Sequence, residues 1–384
     1  MKKSFKLVFS ICFLCLVSFY SNAQNIIVKG IVLDSYENTI PFAAITVLKK
    51  NIGTSSTEDG EFSLTVTNNN LRDSLSISSL GFKTFKILIK DYLALKEKKI
   101  ILKEDVIEMD EITILAPYHY VSNAIKNLKN NTLSDNHQIE LLYRRAATEG
   151  GKSRFFVENY IRILDRGPAY NLGSIQVLEA RKSVDYRAWK RVQWTHDINW
   201  METANPLRPT KRKPNLKNYT WKIIDETSYE GEDVLILEGV GKEKWDTMKL
   251  YIGFQSFGIY RIEFRKALFV YQKHETGKLY LSYYSNEWGL GRDMIPQEYW
   301  NTDAEKMSYR LEAYVYNVEL DKKKMNVDPF GGKTDMGSLN LPYNANFWEN
   351  LSMPPDTKFF KKIKSELEDN FGVPLEVQYN LVNK

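Results

Sequence analysis

Three groups of side chains in this sequence have types and spacings that could do chemistry. His137-Gln138-Ile139-Glu140 sets an imidazole and a carboxylate three residues apart, and His196 or His274 could complete a zinc site as a third ligand. Glu58, Asp59 and Glu61 crowd carboxylates around Gly60. A calcium loop needs several oxygen ligands at regular spacing with a bidentate acid at its end, so these three fit a turn better than an ion site. Arg187, Lys190, Arg191 and Arg212 belong to a basic stretch, interleaved with Tyr186, Trp189, Trp194 and Trp200, that could meet phosphates or acidic glycans. Pro206, Pro209 and Pro214 in the same stretch favour a solvated loop over residues 181–217. No phosphate-binding glycine loop or Gly-x-Ser-x-Gly elbow accompanies them. The expected complement is therefore no catalytic residue, no cofactor and no metal, with His137, Glu140 and His274 as the metal candidates to check.

The elements that would position such residues begin after a leader. Lys2, Lys3 and Lys6 precede an apolar run from Leu7 to Val17, and Ser21-Asn22-Ala23 carries small residues where a signal peptidase cuts. Residues 1–23 read as a signal peptide with cleavage between Ala23 and Gln24. Both cysteines, Cys12 and Cys15, fall inside it, so disulfides and thiolate chemistry are not expected of the mature chain. The 53 basic residues less these three lysines, against 48 acidic, leave a mature net charge of +2, which does not suggest a nucleic-acid binder. No later apolar run is long enough for a transmembrane helix.

From Asn25 the apolar pattern has period two. "IIVKGIVLD", "FAAITVLK", "EFSLTV", "DSLSISS" and "FKTFKILI" are strand-length runs separated by turn residues. So many short strands predict a Greek-key β-sandwich over residues 24–116. Asp59-Gly60 is expected to turn the chain between two antiparallel strands, with Phe62 and Leu64 inward and Glu61 and Ser63 outward. The residues Gly30-x-Val32-x-Asp34, Pro41, Gly53-Thr54, Thr57-x-Asp59-Gly60-x-Phe62 and Ser78-x-x-Gly81-Phe82 together resemble the carboxypeptidase-like regulatory domain. That domain is a transthyretin-like sandwich common in exported Bacteroidetes proteins. The resemblance implies an accessory, non-catalytic module. It also implies that a zinc catalytic domain would precede the sandwich, whereas here the larger region follows it.

Residues 117–384 read as a β-rich region. A helix is expected near 119–130, where Val121, Ile125 and Leu128 share a face. "QIELLYRRAATE" and "SRFFVENYIRIL" form a hairpin about Gly150-Gly151-Lys152. This hairpin is similar to the "FYRE" block of uncharacterised Bacteroidetes envelope proteins, but Arg145 replaces the usual acid and Glu158-Asn159 replaces the usual Glu-Ala. Those departures argue against a working carboxylate there. An antiparallel meander is expected over 219–320, with a helix near 356–370 and with Phe347 and Trp348 anchoring the tail. The cadence of the meander is similar to that of outer-membrane lipoprotein carriers, in which a curved sheet holds acyl chains. The fold class is thus mainly β: a Greek-key sandwich followed by a larger antiparallel-sheet (α+β) domain with a few short helices. The function expected is that of a non-enzymatic, exported protein of the periplasm or outer membrane. Its sheet would bind a hydrophobic or glycan ligand or an envelope partner; the alternative is a hydrolase of envelope polymers.

Overall fold

The computed structural model describes residues 25–50, 52–105, 115–190, 198–243, 245–328 and 335–382. The leader with its Ala23/Gln24 cleavage site, Arg191, His196 and residues 106–114 at the end of the expected sandwich lie outside the described residues. The fold is mainly β, as the sequence pattern predicts, and is built from two small sheets and one large one.

The first seven strands are β1 (Asn25–Leu33), β2 (Ala44–Val47), β3 (Gly53–Ser55), β4 (Glu61–Thr67), β5 (Ser74–Ser78), β6 (Phe85–Leu88) and β7 (Lys99–Ile101), with helix α1 (Ile89–Ala94) before the last. They form one sheet ordered β4-β1-β7 and a second ordered β3-β2-β5-β6. Alternation along β1 sends Val28 and Val32 into a core with Ile45, Phe62, Leu64, Leu75 and Ile77, while Ile27 stays 47% exposed. Gly30 is required in β1 because a Cβ there would meet the Tyr92 hydroxyl, the Lys98 carbonyl and the Phe62 ring, all within 3 Å. That close approach lets Tyr92 donate to the Lys29 carbonyl at 2.9 Å.

The turn at Gly60 has φ +77, as an Asp-Gly turn should. It does not close a hairpin, however, because β3 and β4 belong to different sheets and the turn carries the chain across the sandwich. Phe62 and Leu64 do face the core. Ser63, expected outward, is only 5% exposed because the rest of the chain packs over that side of β4: the Thr65 amide donates to Ser352 Oγ at 2.6 Å.

The large sheet has ten antiparallel strands. They are β8 (His137–Glu149), β9 (Lys152–Asp165), β10 (Ile175–Lys182), β11 (Thr220–Tyr229), β12 (Glu232–Val240), β13 (Thr247–Gly253), β14 (Ile259–Phe264), β15 (Ala267–Lys273), β16 (Leu279–Leu290) and β17 (Met307–Glu319). Their order is β10-β9-β8-β17-β16-β15-β14-β13-β12-β11. Gly150 and Gly151, at φ +58 and +80, make the tight β8–β9 turn. Pairing of β17 with β8 from Met307↔Glu149 to Glu319↔Gln138, interrupted by one bulge, joins the hairpin to the meander.

Both faces of this sheet are covered. On one, Ile139, Leu141 and Tyr143 of β8 meet Tyr120, Val121 and Ala124 of α2 (Pro117–Lys126), Leu128 of α3 (Leu128–Asn131) and Met201 of α4 (Asn199–Thr203) in one large apolar cluster. The opposite face carries the sandwich and three C-terminal helices, α5 (Ala345–Asn350), α6 (Lys358–Phe371) and α7 (Leu375–Val382). Trp348 packs with Leu142 and Tyr160; Phe360, Ile363 and Leu367 pack with Ala146 and Phe156. Phe42 of the sandwich stacks on Tyr283 at 4.4 Å between ring centroids. It does so from a backbone φ of +58, a conformation that costs a bulky residue energy and is held by its surroundings. Among the described residues no helix is long and apolar enough to cross a membrane.

Candidate functional site

The most unusual chemistry lies where the sandwich and the C-terminal tail meet the large sheet. Alternation along β8 directs Leu142, Arg144 and Ala146 to this face and Tyr143 to the other. Pairing across β10, β9, β8 and β17 then sets Arg181 opposite Glu158, Glu158 opposite Arg144, and Arg144 opposite Glu312. The result is a row of alternating charge across four neighbouring strands. Arg144, Glu158 and Glu312 are each fully buried.

The row is held by short contacts. Arg144 Nε donates to Glu158 Oε1 at 2.9 Å, and Arg181 Nε donates to Glu158 Oε2 at 2.6 Å. Burial would raise the Glu158 carboxyl, but Arg181, Lys364 and Arg144 outweigh it and hold the group far below the usual carboxylate range. Glu312 goes the other way: burial raises it, and Arg310 and Arg144 only partly offset that. Arg310 joins Glu312 at 2.9 Å to Glu58 of the sandwich at 2.5 Å. Asp356 of the tail lies 3.6 Å from Arg144 and 2.8 Å from Lys364.

Beside this row opens a groove of about 750 Å³. Its walls come from the sandwich (Ile27, Ile31, Phe62) and the tail (Trp348, Leu351, Met353), and Arg144 and Arg181 contribute to its lining. Arg181 stacks on the Trp348 ring at 4.4 Å. Arg144 Nη1 is buried without a hydrogen-bond partner, which is unusual for a group whose unmet bonds are costly.

The residues singled out in the sequence fall elsewhere. His137 and Glu140 lie on a regular stretch of β8 three residues apart, so they point to opposite faces and do not converge. The His137 ring bonds the Asp135 carbonyl at 2.9 Å, whereas Glu140 accepts from Arg162 at 2.6 Å and from Tyr160 at 3.0 Å. His274 follows β15 and is within electrostatic reach of His137. Among the described residues no three His, Cys, Asp or Glu side chains are grouped to hold a metal. Glu58 pairs with Arg310, and Asp59 accepts from the Lys358 amide at 2.9 Å, so these acids dock the sandwich onto the rest of the chain.

The basic stretch is not uniformly solvated as expected. Arg187 is 8% exposed, forked onto Asp185 at 2.9 Å and set over the Phe155 ring. Arg208 is 2% exposed and bidentate to Asp165 at 2.9 and 2.7 Å. Lys190 and Arg212 remain exposed, the latter 5.9 Å from the Trp200 ring. Sequence reasoning noticed Glu158 within the hairpin and Arg181 at the edge of the basic stretch but did not connect them with Arg144. Their one local signal was Arg144 and Glu158 facing each other across a tight hairpin.

Comparison with known proteins identifies the first part of this architecture. Residues 28–114 match the family model of the CarboxypepD_reg-like domain, and a larger β-rich region follows. Three solved structures are similar to the chain at low identity. An outer membrane lipoprotein-sorting protein domain, described as putative, from Vibrio parahaemolyticus is 10% identical with a TM-score of 0.28, covering 53% of this chain and 93% of its own. A DUF1329 family protein from Desulfovibrio piger is 13% identical with a TM-score of 0.27, covering 55% and 96%. A LolA superfamily protein from Nitrosomonas europaea is 13% identical with a TM-score of 0.24, covering 54% and 94%. No curated protein matches the chain.

Proposed function

We propose that the chain is an exported, non-catalytic binding protein of the cell envelope. Its ligand is an amphipathic anion held in the groove between the sandwich and the sheet. The observation that carries this reading is a groove of about 750 Å³ whose lining sets the partly exposed cations Arg181 and Lys364 beside apolar side chains. The lining is about evenly polar and apolar, which suits a ligand with a charged head and an apolar chain. An apolar chain would lie along Ile31, Leu351 and Met353. A carboxylate or phosphate head would engage Arg181 and Lys364, the partly exposed cations of the groove. The α2-covered face of the sheet is packed by the chain's own side chains, so the ligand is placed on the opposite face. Export rests on the leader motif of residues 1–23.

The test is titration calorimetry of the mature chain with a long-chain carboxylate, the matching phosphate monoester and the matching neutral alcohol. The acids are expected to bind at least about tenfold more tightly than the alcohol, the effect of one charge-assisted hydrogen bond. Met353→Trp, which fills the groove without touching the charges, should abolish binding. Equal affinity for the alcohol, or binding that survives Met353→Trp, would refute the assignment.

A further inference from the structure

One anion place in the groove is already taken by the chain itself. Asp356 lines the groove from the tail, two residues before helix α6. Both of its carboxylate oxygens accept from Lys364 Nζ at 2.8 Å, and Arg144 Nη2 lies 3.6 Å away. The Lys364 ammonium is also set 5.0 Å from the centre of the Phe156 ring.

The two acids that hold the groove's cations differ in kind. Glu158 binds Arg181 Nε and Nη2, each at 2.6 Å, and is fully buried behind the groove. Asp356 is 27% exposed and stands in the lining with Trp348, Leu351 and Met353. The backbone around it is tied at three points. Ser352 Oγ accepts from the Thr65 amide at 2.6 Å, the Pro354 carbonyl accepts from Arg144 Nη2 at 3.4 Å, and the Lys358 amide donates to Asp59 at 2.9 Å. Freeing Lys364 therefore takes a rotamer change of Asp356 and leaves the groove walls in place. An ion pair this exposed is worth little, so exchanging it costs little.

We infer that Asp356 is the specificity-determining residue of the groove, an internal ligand whose carboxylate keeps the place on Lys364 until an incoming anionic head exchanges for it. This rests on the reading of the groove as an anion site and adds how that site selects. Trading one carboxylate for another gains no net bond to Lys364, so the apolar chain of the ligand must supply the surplus that drives binding. A small anion has no such chain. The tethered Asp356 also competes at an effective concentration of about millimolar or more, which excludes it. Asp356 thus admits amphipathic anions and rejects small ones.

The experiment is titration calorimetry of the mature chain and of Asp356→Asn, which keeps the side chain's shape without its charge. The probes are dodecanoate and dodecanol. Asp356→Asn should raise the preference for dodecanoate over dodecanol about two- to fivefold, the worth of one partly exposed ion pair. Acetate, replacing chloride at constant ionic strength, should compete with dodecanoate in the variant and not in the native chain. If Asp356→Asn does not fold, NMR of the Asp356 carboxyl carbon in the native chain decides: its resonance should move on adding dodecanoate and not on adding dodecanol. Dodecanoate binding to the native chain with an unchanged preference in the variant, with acetate competing equally in both, or with an unmoved carboxyl resonance would each overturn the role of Asp356 and leave the groove standing. Binding of dodecanoate to neither chain would refute the groove itself and this inference with it.

Discussion

Arg144 and Arg145 illustrate why adjacent residues can have opposite fates. In "LLYRRA" both arginines are completely buried, but alternation sends Arg144 to the sandwich side, and Arg145 lies over the Tyr143 ring of the other face. Arg145 donates to Asn159, so the two departures from the "FYRE" pattern are partners of each other. They do not remove a carboxylate from Arg144, because Glu158 remains. Removing one partner of a buried pair strands the other charge, so Arg144→Met should cost about 3–5 kcal/mol in urea unfolding. Linkage gives a sharper test. Glu158 is depressed, so its contribution is fully present above the unfolded-state value near 4.5 and is lost as pH falls through the folded value below it. The stability gap between the native chain and Glu158→Gln should be widest at pH 7 and narrow steadily below about pH 4.5. A gap that stays constant down to pH 3 would mean that Glu158 is not ionised in the fold. A third change tests packing: Gly30→Ala drives a methyl into Tyr92 and Phe62 and should lower stability by about 1–3 kcal/mol, read as a drop in Tm.

At the scale of elements, local pattern was a sound guide and pairing was not. Period-two alternation marks the strand runs, and the Asp-Gly turn has the positive φ its residues require. The pattern could not tell that β3 and β4 separate into two sheets, since a turn that crosses a sandwich and one that closes a hairpin use the same residues. Nor could it place the basic stretch: Arg208 looks solvated until Asp165 is brought beside it, and Arg187, whose partner Asp185 is local, until the Phe155 ring covers it. The turn acids have a job in helix α6. Thr357 caps its first turn by accepting from the Phe360 amide, and Asp59 from the sandwich accepts from the Lys358 amide. A helix N-terminus leaves such amides unmet, and a carboxylate there is favoured by the helix dipole as well. Asp59→Ala should therefore destabilise the protein by about 0.5–2 kcal/mol, the usual effect of losing a cap. Glu61→Ala, on the same turn but without that contact, serves as the control and should change stability little.

For the whole molecule, these contacts decide whether the sandwich is a separate appendage or part of one body. An accessory module on a tether would touch its neighbour weakly. Here the Gly81 amide donates to the Ser228 carbonyl at 2.8 Å, Gln272 reaches Ser55 at 3.3 Å, Phe42 stacks on Tyr283, and Glu58 completes the charge row. Partners so distant in sequence leave no periodic trace, which is why the chain reads as two independent units until it is folded. Burying Glu312 and Arg310 without Glu58 would leave the row incomplete, so the sheet's outer face depends on the sandwich being in place. The two parts should then unfold in one cooperative step. All eight tryptophans lie after residue 188, so fluorescence follows only the large sheet and the tail. Hydrogen exchange of β1 and β4 amides follows the sandwich. Both probes should lose their native signal at the same urea concentration, and Glu58→Lys, which places a cation against Arg310, should split them by releasing the sandwich first. Two separated transitions in the unmutated chain would show that the junction, and any ligand site that depends on it, is not a fixed feature of the fold.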